Sequence, residues 1–185
     1  MAAHQLKEGV LVALYKLLKT GEGSYISTSL EESSIAALAN QASNYLMAGK
    51  IAQRIGSLHP NIAPYGELFT TKDQQQVVLA IGSDAQFQKL TTLLDLTTMS
   101  SDERYSTNKN RIQNRILLAE LLSKEIIKFK AGELIHSCTK LGVPIGQVKN
   151  MQQVFEGEIG KEMVLEETIE GTLTKRVKSV SFTIK

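Results

Sequence analysis

The sequence predicts an α/β protein: a helical first segment, followed by a small α+β domain in which helices pack on a small β-sheet. Three observations predict this fold class. Apolar residues recur at helical spacing as far as residue 48, a proline-containing irregular stretch follows, and residues 77–81 form a continuous apolar run typical of a buried strand. We therefore expect four segments, at residues 1–48, 49–65, 66–160 and 161–185.

The composition is that of an ordinary globular protein and disfavours several classes of partner. The 185 residues are 42% hydrophobic and 22% charged, and the net charge of +2 argues against nucleic acid as a partner. The single cysteine, Cys138, excludes an internal disulfide and fits a reducing compartment. No apolar run approaches the roughly 20 residues that cross a bilayer, and residues 1–7 lack a signal-peptide pattern. We expect a cytoplasmic protein, or a mitochondrial-matrix protein if the source is eukaryotic, with no membrane partner.

The first segment predicts two helices joined by a short strand. Apolar residues at helical spacing indicate a first helix that ends at Gly21, where a helix C-terminus favours positive φ. Residues 25–28 are expected to form a strand. Ser29 and Glu32 have capping-box spacing, so we expect a second helix from there to about Ala48. Its expected buried face consists of Ile35, Leu38, Ala42, Tyr45 and Leu46.

Residues 49–65 predict a stiff, irregular segment. Pro60 and Pro64 fix their own φ and push His59 and Ala63 toward extended geometry. A segment of this kind can position side chains without being a helix or a strand. His59 then has two interpretations: a wall of a ligand pocket, or a loop residue held by structural hydrogen bonds.

The third segment alternates strands and helices. Strands are expected at 67–71 and 76–81, and Ser83 is expected to cap a helix that runs to about residue 95. Residues 108–129 predict the longest helix. Its expected apolar face consists of Ile112, Ile116, Leu117, Leu121, Leu122 and Ile126. Three shorter elements are expected to follow: a helix at 131–141, an extended piece at 143–148 and a helical turn at 151–155.

The last segment predicts a hairpin. Strands are expected at 164–169 and 173–184, with Glu170 and Gly171 in the turn. Val180, Phe182 and Ile184 alternate with polar residues as in a half-buried strand. Because the patterns at both termini continue to the last residue, we expect the chain to be part of a longer protein.

The residues alone give no catalytic or metal site. The three histidines and Cys138 share no metal-ligand spacing, so no metal is predicted. Cys138 lies on an apolar helical face, which favours burial over a nucleophilic role. Asp84 follows a buried strand at a helix N-terminus, where stabilising the helix is favoured over a role in a site.

A resemblance to a known family runs through the chain in order. Residues 19–26 (KTGEGSYI) and 29–33 (SLEES) are similar to the R-T-G-x-G-Q segment, and the S-L-L-D/E-S sequence after it, of the family III CoA-transferases, also called the carnitine-dehydratase and bile-acid-inducible-protein-F family. Further matching residues are Arg54, Gly56, His59, Pro60, Pro64, Tyr65, Asp84, Phe87, Asn108, Arg111, Asn114, Arg115, Gly142 and Pro144.

The resemblance implies a partial family III fold in which residues 1–48 belong to the large domain and residues 49–65 form a loop that faces the active site. It implies transfer of coenzyme A between an acyl-CoA and a carboxylic acid through an aspartyl anhydride and an enzyme thioester. The catalytic aspartate is expected upstream of Met1, so this chain holds no catalytic residue and is expected to be inactive alone. The residues expected to bind the CoA thioester are Gly56, His59, Pro60 and Tyr65.

The CoA thioester is expected as a substrate rather than a permanently bound cofactor, and the full-length protein is expected to be a homodimer. The likeness is greatest to members that use dicarboxylic acids such as succinate and glutarate. Only Gly56 retains the glycine of the family's loop, which leaves an oxyanion-stabilising role open. Two alternatives stay open: a non-catalytic interaction module of the same fold, and the racemase branch of the family.

Overall fold

The computed structural model describes residues 1–183 of the 185-residue chain. It divides into two compact units, Met1–Arg54 and Ile55–Lys185. None of the helices within the described residues is both long enough and apolar enough to cross a bilayer.

The first unit contains three helices: α1 (Ala2–Thr20), α2 (Leu30–Ala36) and α3 (Asn40–Ala48). Gly21 ends α1 with a φ of 73°, as predicted, and its N–H donates to the Leu17 carbonyl. The capping box predicted at the start of α2 is present, because the Ser29 hydroxyl accepts the Glu32 N–H while the Glu32 carboxylate accepts the Ser29 N–H.

Two predictions of secondary structure for this unit are wrong. The helix expected from residue 29 to 48 is broken between α2 and α3, where Ala39 has a φ of 47°. The Ser34 hydroxyl donates to the Leu30 carbonyl, a local bond that weakens helix continuation, and no proline or glycine marks the break. Residues 25–28 have no strand partner; instead the Thr28 and Ser33 hydroxyls lie 3.1 Å apart.

The apolar faces of the first unit are exposed. Ser33 is its only buried residue, and the predicted burial of the second helix is wrong, since Ile35, Leu38, Tyr45 and Leu46 are exposed and Ala42 is half-buried. Three helices of 19, 7 and 9 residues do not form a closed second layer over one another, so most of their apolar side chains meet solvent.

A three-stranded antiparallel sheet organises the second unit. The strands are β1 (Tyr65–Thr70), β2 (Gln76–Ala80) and β3 (Ile145–Gln147), in the order β1-β2-β3. Val77, Leu79 and Ile81 are fully buried and the residues between them are half-buried, which confirms the strand expected from the apolar run.

The second unit also contains four helices: α4 (Asp84–Leu93), α5 (Asn108–Gln113), α6 (Arg115–Ile126) and α7 (Ala131–Lys140). The Ser83 hydroxyl caps α4 by accepting the Gln86 N–H, as predicted. The core consists of side chains from every one of these elements except α5, and includes Phe69, Leu79, Phe87, Leu90, Leu118, Leu122, Ile126, Leu134 and Cys138.

The prediction of a single long helix at residues 108–129 is wrong. The segment forms α5 and α6, and both are shorter than α1. Asn114 interrupts the helix because its side-chain amide donates to the Arg104 and Asn110 carbonyls and its backbone leaves helical geometry. After the interruption, Leu118 is buried in the core. Ile116 and Leu117, which were expected on the apolar face, are exposed.

The chain continues through two short helices, α8 (Met151–Glu156) and α9 (Glu158–Glu162), of which α9 was not predicted. The hairpin β4 (Val164–Ile169) and β5 (Thr172–Val177) confirms the predicted turn at Glu170-Gly171. The last strand ends earlier than predicted, because Val177 pairs with the first residue of β4 and residues 178–183 have no strand opposite them. Position 184 lies outside the described residues.

Candidate functional site

The candidate site is the segment from residue 56 to 65, called here the proline loop. Its two ends are bonded to each other: the His59 N–H donates to the Tyr65 carbonyl at 2.8 Å, and the Ser57 hydroxyl donates to the Gly66 carbonyl at 2.6 Å. Gly66 permits this closure, since a Cβ there would lie 1.9 Å from the Ser57 carbonyl oxygen and its φ is 88°.

The His59 ring has a fixed orientation within the loop. Its Nδ1 accepts the Asn61 backbone N–H at 3.1 Å, so the neutral imidazole carries its proton on Nε2. The Tyr65 ring stands edge-on to it, with ring centroids 5.1 Å apart and planes at 61°. His59 is half-buried and Tyr65 is 36% exposed. The structure therefore brings together two of the four predicted CoA-binding residues.

Gly56 and Pro60 lie in the same loop with different roles. Gly56 has a φ of 67°, which a residue with a Cβ rarely adopts, so it sets the direction in which the loop departs. Pro60 is half-buried next to His59, and its fixed φ limits the backbone there. The loop ends with a cis peptide bond between Ala63 and Pro64.

Arg111 of α5 binds the C-terminal end of the proline loop. Its guanidinium is 1% exposed and donates to the Ala63 carbonyl at 2.8 Å and to the Tyr105 carbonyl at 3.0 Å. A third donor forms an ion pair with Asp84 at 2.5 Å. Asp84 thus contributes to the placement of Arg111 from the first turn of α4, in addition to the favourable position of a carboxylate at a helix N-terminus.

Arg115, at the start of α6, binds the middle of the proline loop. Its Nε donates to Glu67 Oε1 at 2.7 Å, and its Nη2 donates to the His59 carbonyl at 2.8 Å and to the Ile62 carbonyl. The Glu67 side chain is 5% exposed, and its second oxygen, Oε2, is buried without a hydrogen-bond partner among the described residues.

Asn108 completes the set of side chains that hold the loop. Its amide group donates to the Asn61 carbonyl at 2.8 Å, and its Oδ1 accepts the Ala63 N–H at 3.1 Å. No role in the site was predicted from the sequence for Asn108, Arg111 or Arg115. A signal was available, because these positions follow i, i+3 and i+7 spacing, which places three polar groups on one face of the helix predicted at residues 108–129.

An open groove of about 560 Å³ lies beside the loop. Its walls are apolar with a few charged groups, and its lining residues are Leu58, Glu67, Arg115, Ile116, Ala119, Glu120, Ser123 and Lys124. None of the four predicted CoA-binding residues is among them. The groove is therefore next to the predicted site, with the Glu67–Arg115 pair in the wall between them.

Glu67, Asp84 and Cys138 are poorly suited to act as a nucleophile at the loop. Both carboxylates that contact it indirectly, Glu67 and Asp84, are ion-paired to buried or half-buried arginines. Cys138 is fully buried in the core, and burial raises the pKa of its thiol to about 11. Within residues 1–183, His, Cys, Asp and Glu form no group of three that could hold a metal ion. What the loop can do is present the His59 and Tyr65 rings to a ligand.

The comparisons with known proteins identify the family. A model of CoA-transferase family III matches residues 1–185. The chain belongs to CoA-transferase family III. The resemblance seen in the sequence is thereby confirmed. This family III chain is 36% identical over 146 residues to the succinate–glutarate CoA-transferase of Agrobacterium fabrum, covering 79% of this chain and 36% of that protein.

Other relatives agree with this assignment. The succinyl-CoA:glutarate CoA-transferase of Homo sapiens is 34% identical over 146 residues, covering 79% of this chain and 33% of that protein. The family III chain therefore spans about a third of the length of these two curated relatives. A crystal structure of a CaiB/BaiF family protein from Brucella suis matches with a TM-score of 0.66 and 35% identity, over 95% of this chain and 46% of that one. This match confirms the predicted α/β class and partial family fold.

Proposed function

We propose that this chain takes part in moving coenzyme A between an acyl-CoA and a carboxylic acid, with dicarboxylic acids of the succinate and glutarate type as substrates. The observation that carries the proposal is the proline loop: a rigid segment that presents His59 and Tyr65 together, within a chain over 30% identical to two dicarboxylate CoA-transferases. The acyl donor is a CoA thioester, which binds as a substrate and not as a resident cofactor.

The proposed chemistry uses an aspartate that lies outside these 185 residues, N-terminal to them. Its carboxylate attacks the donor's acyl carbonyl, the C–S bond breaks and CoA leaves as the thiolate, giving a mixed anhydride. The thiolate attacks the aspartyl carbonyl and releases the donor acid, leaving an aspartyl-CoA thioester. The acceptor carboxylate attacks that thioester and displaces the CoA thiolate, which gives a second mixed anhydride. The thiolate then attacks the acceptor's carbonyl in this anhydride, forms the new acyl-CoA and releases the aspartate. The ion pairing of Glu67 and Asp84 supports a nucleophile from elsewhere.

The proposed role of the loop is to bind the thioester portion of the substrate. The His59 and Tyr65 rings would together form one wall of the binding site, with the Tyr65 ring covering the acyl chain. Gly56 and Pro60 would line the approach, with Gly56 giving the backbone its unusual direction. The rigid anchoring by Asn108, Arg111 and Arg115 supports this role, because a site that is already ordered loses little entropy on binding.

The full-length protein is proposed to be a cytoplasmic homodimer. The exposed apolar faces of α1 and α3 support association, since contiguous apolar surface of this kind is commonly covered by a partner. The non-catalytic module is the competing function, and it predicts that the loop binds no CoA thioester at all.

Titration of the 185-residue chain with succinyl-CoA, followed by NMR, tests the proposal. We expect shifts of the His59 and Tyr65 ring signals that saturate, and weaker binding by His59→Ala and Tyr65→Ala. Leu173→Ala, at an exposed position of the β4–β5 hairpin, serves as the control and should bind like the wild type. Absence of shifts in the loop would overturn the proposed role and favour the module.

A transfer assay tests the placement of the nucleophile. Succinyl-CoA and glutarate are incubated with the chain, and glutaryl-CoA is measured by chromatography. We expect no turnover, because Glu67 and Asp84, the carboxylates bound to the arginines that anchor the loop, are both held in ion pairs. Turnover by the purified chain would contradict an external aspartate.

A further inference from the structure

Two arginines of the second unit pair with carboxylates in different ways. Arg104 binds Asp102 side-on: Nε lies 3.1 Å from Oδ1 and Nη2 lies 2.6 Å from Oδ2, so both carboxylate oxygens have a partner. Arg115 uses only Nε on Glu67. Its Nη2, the atom that would complete a side-on pair, donates to the carbonyls of His59 and Ile62 instead.

This difference explains the buried oxygen of Glu67 that has no partner. In a side-on pair, Glu67 Oε2 would accept from Arg115 Nη2, as Asp102 Oδ2 accepts from Arg104 Nη2. A buried carboxylate oxygen without a hydrogen bond is unfavourable, and the structure keeps one here. In place of a bond to Glu67 Oε2, Arg115 Nη2 donates charge-assisted hydrogen bonds to two carbonyls of the proline loop.

The pair also connects the two ends of the loop. Glu67 lies on β1, two residues after Tyr65, whereas the carbonyls that Arg115 binds belong to His59 and Ile62. Arg115 and Glu67 are both mostly buried, with side chains 15% and 5% exposed. The position of the His59 backbone relative to the strand that carries Tyr65 thus depends on this guanidinium as well as on the hydrogen bond from the His59 N–H to the Tyr65 carbonyl.

We propose that Glu67 and Arg115 are positioning residues: Glu67 orients the Arg115 guanidinium, and Arg115 holds the His59 and Ile62 carbonyls so that the His59–Tyr65 ring pair is set for the CoA thioester. The proposal rests on the proposed function of the loop. Neither residue is assigned a contact with the substrate or a step in the reaction.

The test compares Glu67→Gln and Arg115→Lys with Asp102→Asn in the full 185-residue chain. Glu67→Gln keeps the size of the side chain and removes its charge, and Arg115→Lys keeps the charge and removes the planar fork. Asp102→Asn is the matched control, because it removes the charge from an arginine pair that does not contact the loop.

Two loop measurements and one binding measurement are made on each variant. For Glu67→Gln and Arg115→Lys we expect exchange of the His59 backbone N–H to become about tenfold faster, which is the effect of losing one charge-assisted hydrogen bond. The cross-peak between the His59 and Tyr65 rings weakens, and the Kd for succinyl-CoA rises about tenfold by the same reasoning. Asp102→Asn changes none of these quantities.

A purely structural role gives a different result and would overturn the proposal: Glu67→Gln lowers Tm while the His59 exchange rate, the ring cross-peak and the Kd stay at wild-type values. If Arg115→Lys does not fold, the milder Glu67→Gln decides. If wild-type chain binds no succinyl-CoA, the proposed function fails, and the exchange rate and cross-peak still decide whether the pair positions the loop.

Discussion

At the scale of single residues, the buried guanidinium of Arg111 connects the end of the proline loop to the core. It donates to the carbonyls of Ala63 and Tyr105, pairs with Asp84 and lies 4.6 Å from the centre of the Phe87 ring. The two carbonyls lie in a region where water does not replace a lost donor, so the guanidinium supports the end of the loop and the core together.

We predict that Arg111→Met lowers the free energy of unfolding of the second unit by about 3 kcal/mol, because two buried carbonyls lose their donor. Urea unfolding followed by circular dichroism measures the effect. Arg104→Met is the control: that guanidinium is exposed, and its removal should change stability little. An equal decrease in the free energy of unfolding of the two variants would show that the buried hydrogen bonds of Arg111 do not stabilise the second unit more than an exposed ion pair does.

The thiol of Cys138 gives a pH-dependent prediction. Burial raises its pKa from 9.0 to about 11 in the folded chain, so the unfolded chain releases the proton first as the pH rises. The contribution of this thiol to stability is therefore complete below pH 9 and is lost between pH 9 and 11, by up to about 3 kcal/mol.

Urea unfolding of the wild type and of Cys138→Ala at pH 8, 9 and 10 checks this prediction. The wild type should lose more stability than Cys138→Ala between pH 9 and 10, and the difference between the two isolates the thiol from other groups that titrate there. A constant difference across this range would contradict a raised thiol pKa.

At the scale of elements, the path of the chain around the proline loop depends on Gly66. A Cβ at this position would lie 1.9 Å from the Ser57 carbonyl oxygen and 2.9 Å from its carbon, and the neighbouring atoms are backbone that cannot move aside as a flexible side chain can. The φ of 88° adds strain for any residue other than glycine.

We predict that Gly66→Ala destabilises the second unit by about 3 kcal/mol or more and abolishes the ring contact between His59 and Tyr65. Gly132→Ala is the control: a Cβ at Gly132 in α7 meets nothing within 4 Å, and alanine favours a helix by up to about 1 kcal/mol over glycine. Thermal unfolding and the ring cross-peak are measured for both. Wild-type behaviour of Gly66→Ala would show that the loop closes by another path.

The sequence predicted elements well where one local signal was sufficient. The apolar run of β2, the Ser83 cap and the capping box of Ser29 and Glu32 each act within a few residues, and each is present. The failures needed tertiary information. Asn114 breaks a helix because its amide donates to the carbonyl of Arg104, ten residues away. The local sequence pattern does not indicate that bond.

The candidate site was predicted only in part, for a similar physical reason. The loop and the residues His59 and Tyr65 were selected because two prolines stiffen the backbone and a family motif runs through them. The anchors Asn108, Arg111 and Arg115 lie about 50 residues away along the chain, and their hydrogen bonds go to carbonyls. Backbone carbonyls are present at every position, so the sequence could not indicate which of them the arginines bind.

At the scale of the whole molecule, the exposed apolar surface of the first unit determines how the chain behaves in solution. Along α1, Leu11, Leu14, Tyr15 and Leu18 follow i, i+3, i+4 and i+7 spacing, and they are 59%, 50%, 64% and 85% exposed. Such a stripe normally faces a core or a partner, because leaving it in water forgoes the free energy of burial.

We predict that the chain self-associates through this stripe, with a sedimentation coefficient that rises with concentration. The double variant Leu11→Lys, Leu18→Lys should sediment as a monomer over the same range, since each lysine places a charge in the centre of the contact. Ile159→Lys is the matched control: Ile159 is 77% exposed in the second unit, outside the stripe, so this variant should associate like the wild type. If the wild type is monomeric throughout, or if Ile159→Lys abolishes association as completely as the double variant does, then the apolar face of α1 is not the contact. The exposed residues of the second unit would then have to account for any association that remains.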